Sequence, residues 1–128
     1  MALNIKNISN EYKVHSKQLT VKFNLSSSDK SDQSIRQIPE DLLVAVVVNR
    51  HGKDIAGLGL SRNTIPDLST KEYTVLLPTK EKDYFTIIFK NIELKGSEQK
   101  VRFEVLDLNG KKLAEVVKPI GVRIPRPV

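Results

Sequence analysis

Apolar and polar residues trade places one by one along much of this chain. Leu19, Val21, Phe23 and Leu25 fall on one parity, with Thr20, Lys22 and Asn24 on the other. That period of two puts one face of a strand in a core and the other in water. Leu42 to Val48 is apolar at every position and rich in Val, which predicts a central strand covered on both faces. Tyr73 to Leu77 runs up to Pro78, and Tyr84 to Phe89 begins after the charged loop Thr79 to Asp83. Val101 to Leu106 and Lys112 to Val117 follow, and Ile120 to Ile124 reads as a short last strand. Leu3, Ile5 and Ile8, with Tyr12 and Val14, supply a first edge strand. No segment carries a convincing helical period, and about seven to nine short strands is the density of a sandwich or small barrel.

Two phrases of the chain are nearly the same. Val47-Val48-Asn49-Arg50-His51-Gly52-Lys53-Asp54-Ile55-Ala56 is matched by Val105-Leu106-Asp107-Leu108-Asn109-Gly110-Lys111-Lys112-Leu113-Ala114. In each, an apolar strand runs into Asn or Asp, then two residues, then Gly-Lys. This fits a type I turn closed by a left-handed glycine, the three-residue hairpin loop with a bulge. Asn49, Gly52, Asp107 and Gly110 are therefore assigned as turn residues. A two-residue turn in the second hairpin would set Glu104 opposite Glu115, a like-charge pair that costs stability. A loop of Leu108, Asn109 and Gly110 instead pairs Asp107 with Lys111, Glu104 with Ala114 and Val105 with Leu113. The same grammar in the first hairpin pairs Asn49 with Lys53 and Val47 with Ile55.

Two hairpins fix an antiparallel architecture. The fold class predicted is all-β, an immunoglobulin-like antiparallel sandwich, in one domain over residues 1–128. Polar loops lie near 26–37 and 62–72, either binding loops or plain connections. An extended Pro/Arg tail occupies 119–128. A chain of 128 residues with 39% apolar content can bury a core without a staple, and with no cysteine it has neither disulfides nor thiolate metal sites. Met1 to Asn7 is too polar for a signal peptide. Leu42 to Val48, the longest apolar run, is far short of the roughly 20 residues of a membrane helix.

The chemistry-bearing residues are sparse. His15 and His51 are the only histidines, and His51 falls in a turn. A set of Ser61, His51 and Asp54 has no nucleophile elbow or other positional signature. Asp29 and Asp32 lack the further ligands of a calcium loop. Gly57-Leu58-Gly59 lacks both the third glycine and the following helix of a dinucleotide-binding turn, so it reads as kinks in a return strand from Ala56 to Leu60. The expectation is a chain that does not catalyse and takes no cofactor and no metal.

Charge gives a direction. The formal net charge is +6, and after Asn109 Lys111, Lys112, Lys118, Arg123 and Arg126 stand against Glu115 alone. Such an excess favours acidic partners, nucleic acid among them, although lysines on outward strand positions also protect sheet edges. In the last third, Phe85 to Phe89, Phe89-Lys90-Asn91-Ile92-Glu93-Leu94, Val101-Arg102-Phe103-Glu104-Val105 and Pro119 to Pro127 together resemble the end of an immunoglobulin-like transcription-factor domain of the Rel, Runt or velvet kind. The resemblance implies a last strand leading into a basic tail on DNA, with Arg123 and Arg126 at the matching positions and Lys118 nearby for phosphate. Two functions are thereby in view. The first is a non-catalytic module for protein interaction, self-association or assembly, working through loops or an exposed sheet edge. The alternative is DNA binding through Lys111, Lys112, Lys118, Arg123 and Arg126.

Overall fold

The computed structural model describes residues 3–27, 33–62, 73–96 and 98–122. Among them are nine strands and no helix: β1 (Leu3–Lys13), β2 (Gln18–Ser27), β3 (Gln33–Ile35), β4 (Leu42–Arg50), β5 (Lys53–Leu60), β6 (Tyr73–Leu76), β7 (Phe85–Phe89), β8 (Gln99–Asp107) and β9 (Lys112–Pro119). One sheet runs β1-β2-β7-β6, with β3 paired to the end of β2, and the other runs β5-β4-β8-β9. Every pairing is antiparallel. The protein is an all-β sandwich.

Alternation explains the core. Leu19, Val21, Phe23 and Leu25 of β2 and Phe85, Ile87 and Phe89 of β7 face inward from the first sheet, and Val44, Val46 and Val48 of β4 with Val101, Phe103 and Val105 of β8 from the second. Phe23 ties the layers together. Its ring stacks on Phe85 at 5.3 Å between centroids and meets Phe103 edge-on at 5.1 Å, both favourable aromatic geometries. β4 is central, as its composition predicts, but its outer face is not covered: Leu43, Ala45 and Val47 are half-buried. Gly57 and Gly59 of β5 do not kink the strand, since pairing from Val44/Leu60 to Val48/Ala56 is unbroken. They make room instead, because a Cβ at Gly59 would come within 3.2 Å of Leu43 Cδ1.

The two similar hairpin phrases fold differently. In the second, the Gly110 N–H donates to Asp107 O and the Asp107 N–H to Lys111 O, both at 3.0 Å, which is the expected three-residue loop with a left-handed Gly110. The register beyond it departs from expectation. An extra residue, Leu113, bulges from β9, so Val105 pairs with Ala114 and Glu104 stands opposite Glu115 after all. A cation removes the repulsion: Lys112 Nζ lies 3.3 Å from Glu104 Oε1 and 3.2 Å from Glu115 Oε2. In the first hairpin the loop has two residues, not three. Arg50 pairs with Lys53 and Asn49 with Asp54, and His51 and Gly52 both have positive φ, 53° and 82°, as a type I′ turn requires. The bulge falls at Ile55, so Val47 meets Gly57 rather than Ile55. Asn49 Oδ1 accepts the Gly52 N–H at 3.1 Å and supports the turn.

Gly52→Ala should destabilise by about 1 kcal/mol through left-handed strain alone. Nothing lies within 4 Å of the added Cβ. A lower urea midpoint with an unchanged slope is the expected result.

Other expectations need adjustment. Ser26 and Ser27 extend β2 and Gln33–Ile35 form β3, so of the polar segment near 26–37 there remain a bend at Arg36 and Gln37 and residues 28–32, the latter outside the described residues. Of the 62–72 loop, 63–72 lies outside them. Ile120 to Val122 is not a strand; Ile120 is buried and its N–H donates to Gln99 O at 2.8 Å. Residues 123–128 of the tail are outside the described residues.

Candidate functional site

The outer face of the first sheet carries a groove of about 660 Å³. Its floor is set by register. Leu76 pairs with Thr86 and Thr74 with Ile88, while Thr20 pairs with Ile88 and Lys22 with Thr86. Thr20, Lys22, Leu76, Thr86 and Ile88 therefore point the same way, opposite to the core residues Val21, Val75 and Ile87. Two of them, Leu76 and Ile88, are apolar residues on the face that alternation assigns to water. Leu76 is 48% exposed and Leu77 beside it 42%.

The wall is the turn between β6 and β7. Pro78 has no N–H to continue a ladder, and the chain turns away after Leu77. Thr79 organises this turn: its N–H donates to Lys82 O at 2.9 Å, and its Oγ1 accepts the N–H groups of Glu81 and Lys82 at 3.3 and 3.1 Å. The base of the turn is tied to the sheet, because Asn24 Nδ2 donates to Asp83 O at 2.7 Å and Arg36 meets the Asp83 carboxylate at 3.2 Å. Tyr84 closes one side with Lys22 Nζ 5.3 Å from its ring centre, a cation–π contact. Lys22 and Lys82 are the charged residues of the lining, and no carboxylate belongs to it.

On the opposite sheet two cations, Arg102 and Lys112, are neutralised by acids. Arg102 forks onto Asp54, with Nη1 to Oδ1 at 3.3 Å and Nη2 to Oδ2 at 3.1 Å, and its Nε reaches Glu104 Oε1 at 2.9 Å. Asn49 Nδ2 donates to Asp54 Oδ1 at 2.9 Å. The Arg102 and Asn49 hydrogen bonds hold the Asp54 carboxyl below its ordinary value, and Asp54 in turn raises Arg102. Glu115 and Glu104 raise Lys112. A carboxylate held low when folded adds stability above its unfolded pKa and loses it as pH falls through the folded value. Asp54→Asn should therefore lower the urea midpoint near neutrality. The gap to the parent chain should close as pH falls below the ordinary carboxylate range and through the lowered folded value.

The residues singled out from the sequence do not converge. Asn49, Gly52, Asp107 and Gly110 sit in the two turns as assigned. Lys111 and Lys118 are exposed, whereas Lys112 is occupied by Glu104 and Glu115. Arg123 and Arg126 lie outside the described residues. Asp54 is held by Arg102 and Asn49, and the nearest acid to exposed His51 is Glu98, 4.0 Å away, so Ser61, His51 and Asp54 do not form a triad. Among the described residues no three of His, Cys, Asp and Glu gather as metal ligands.

The chain matches no protein-family model, no curated protein and no solved structure.

Lys22, Leu76, Leu77, Lys82 and Tyr84 escape a reading that seeks catalytic or basic clusters. Their signal is a mismatch of phase. In Tyr73-Thr74-Val75-Leu76-Leu77 the apolar residues occupy both parities, and Ile87-Ile88 does the same in β7. A strand with one wet face has no need of the second set.

Proposed function

We propose that this protein is a non-catalytic binding module that seats a protein partner on the outer face of its first sheet. The observation that carries the proposal is the pair of half-exposed leucines, Leu76 and Leu77, at the rim of a 660 Å³ groove. Exposed apolar clusters framed by polar residues are the usual mark of a contact surface. The strand order supports an immunoglobulin-like reading of the sandwich: β1-β2-β7-β6 follows the A-B-E-D order and β5-β4-β8-β9 the C′-C-F-G order. Such sandwiches present sheet faces, edges and loops to partners on a rigid frame.

The test is affinity enrichment from the source cell with the parent chain and with Leu76→Asp/Leu77→Asp, each retained protein then purified and measured directly. Both leucines project to solvent, so the variant should fold. A partner whose direct binding weakens by about tenfold or more in the variant is expected, a hot-spot effect of 1.4 kcal/mol or more. Partners that bind both forms equally would remove the groove from the account.

DNA binding is the second reading, favoured by the net charge of +6. It predicts duplex affinity that falls about a thousandfold or more between 50 and 200 mM salt. It also predicts loss of that affinity in Arg123→Ala/Arg126→Ala. The protein-binding reading expects neither.

A further inference from the structure

We infer that β6 is an acceptor edge, to which a protein partner adds an extended segment bearing apolar and acidic side chains. The inference rests on the protein-binding reading and specifies its mode. Among the described residues β1, β3, β5, β6 and β9 each have one side without a strand neighbour, and β1 and β9 carry along their length the devices that discourage pairing. β1 is bulged between Lys6 and Ser9 and carries Lys6, Glu11 and Lys13. β5 is protected only at its turn end, by a bulge and by Lys53 and Asp54, and is regular and uncharged from Ala56 to Leu60; β3 is three residues long. β9 is bulged at Leu113, carries Lys112, Glu115 and Lys118, and ends at Pro119. β6 differs. Tyr73-Thr74-Val75-Leu76 has no charge and no proline, its pairing with β7 is regular from Tyr73/Phe89 to Leu76/Thr86, and among the described residues β7 is its only strand neighbour. Its shortness is the one safeguard it keeps.

The same edge borders the groove. In an antiparallel ladder a strand bonds one neighbour with every second residue and turns its remaining N–H and C=O groups to the other side. A strand laid along β6 would take those groups and point alternate side chains over Leu76 toward the groove. Backbone bonds would supply affinity and the groove selectivity, the division of labour in strand addition.

Charge selects the occupant. Lys22 and Lys82 line the groove without a carboxylate, and the neighbouring Asp83 is engaged by Arg36. A second copy of this chain, adding its own β6, would bring lysines toward lysines. A partner segment with Glu or Asp among its groove-facing residues would instead pair with them, while its apolar residues cover Leu76, Leu77 and Ile88.

The experiment is an NMR titration of the isotope-labelled chain with synthetic peptides of about eight residues in which Leu or Val alternates with Glu. Saturable shifts are expected at Tyr73–Leu76, Lys22 and Lys82. Lys22→Glu/Lys82→Glu, two exposed positions, should weaken binding by about tenfold or more. N-methylation of alternate peptide amides should abolish it in one register and spare it in the other. Equal binding of a peptide with Lys in place of Glu, indifference to N-methylation in both registers, or no saturable shift at millimolar peptide would overturn the inference. So would a dimer in sedimentation that Leu76→Asp dissociates, since it assigns the edge to a second copy. A natural partner that depends on Leu76 and Leu77 while no strand peptide binds sinks strand addition and leaves the protein-binding reading standing. Absence of both takes the two down together.

Discussion

Phe23→Ala should lower the free energy of unfolding by about 3–5 kcal/mol, the range for emptying a buried aromatic site. The residue is fully buried and makes the contact that crosses between the sheets, stacked on Phe85 and edge-on to Phe103. Its truncation removes apolar burial, two aromatic contacts and the filling of the centre at once. β2 and β8 are held from both sides by neighbouring strands, so collapse into the space is opposed by the ladders. Urea denaturation followed by intrinsic Tyr fluorescence gives the value. A loss below about 1 kcal/mol, the level of a single methylene group, would mean that the layers are not clamped at this ring.

Tyr12→Phe should cost about 1–3 kcal/mol although it deletes one oxygen atom, because it strands two buried backbone groups. The Tyr12 hydroxyl donates to Ile92 O at 2.6 Å and accepts the Leu94 N–H at 3.2 Å. Ile92 and Leu94 are themselves buried, and the Ile92 N–H donates to Lys17 O at 3.0 Å. The β1–β2 hairpin thus straps the segment that carries the chain from β7 in one sheet to β8 in the other. Amide exchange should show the effect locally, with protection lost over Ile92 to Leu94 before the strands of the core respond. Uniform loss of protection would assign the hydroxyl a global role instead.

The strands are legible in the sequence because each core face is written in the chain as an alternation, and β2 and β8 can be read off residue by residue. Both turns are legible as turns, because Gly52 and Gly110 follow Asn or Asp at hairpin spacing. Which turn each becomes is not. His51 adopts a positive φ that histidine seldom takes, and the first hairpin closes in two residues while the second closes in three. Register is hidden for a related reason. Along the chain Glu104 and Glu115 count only as a repelling pair, but a bulge at Leu113 is compatible with a lysine that bridges both. The groove leaves only a phase mismatch at Leu76 and Ile88, since Lys22, Leu76 and Lys82 come from separate segments that no local pattern joins.

Local sterics and side-chain parity, both properties of neighbouring residues, are enough to determine an antiparallel all-β protein, most of its strands and most of its core. Which charges are spent and which edges stay open is settled only in the folded arrangement. Arg102 and Lys112 are neutralised by acids that reach them from other strands or across a bulge, and β6 is set apart by the groove that remote segments build beside it. Those facts are set by distances between remote segments, and such distances exist only once the two sheets have closed over Phe23.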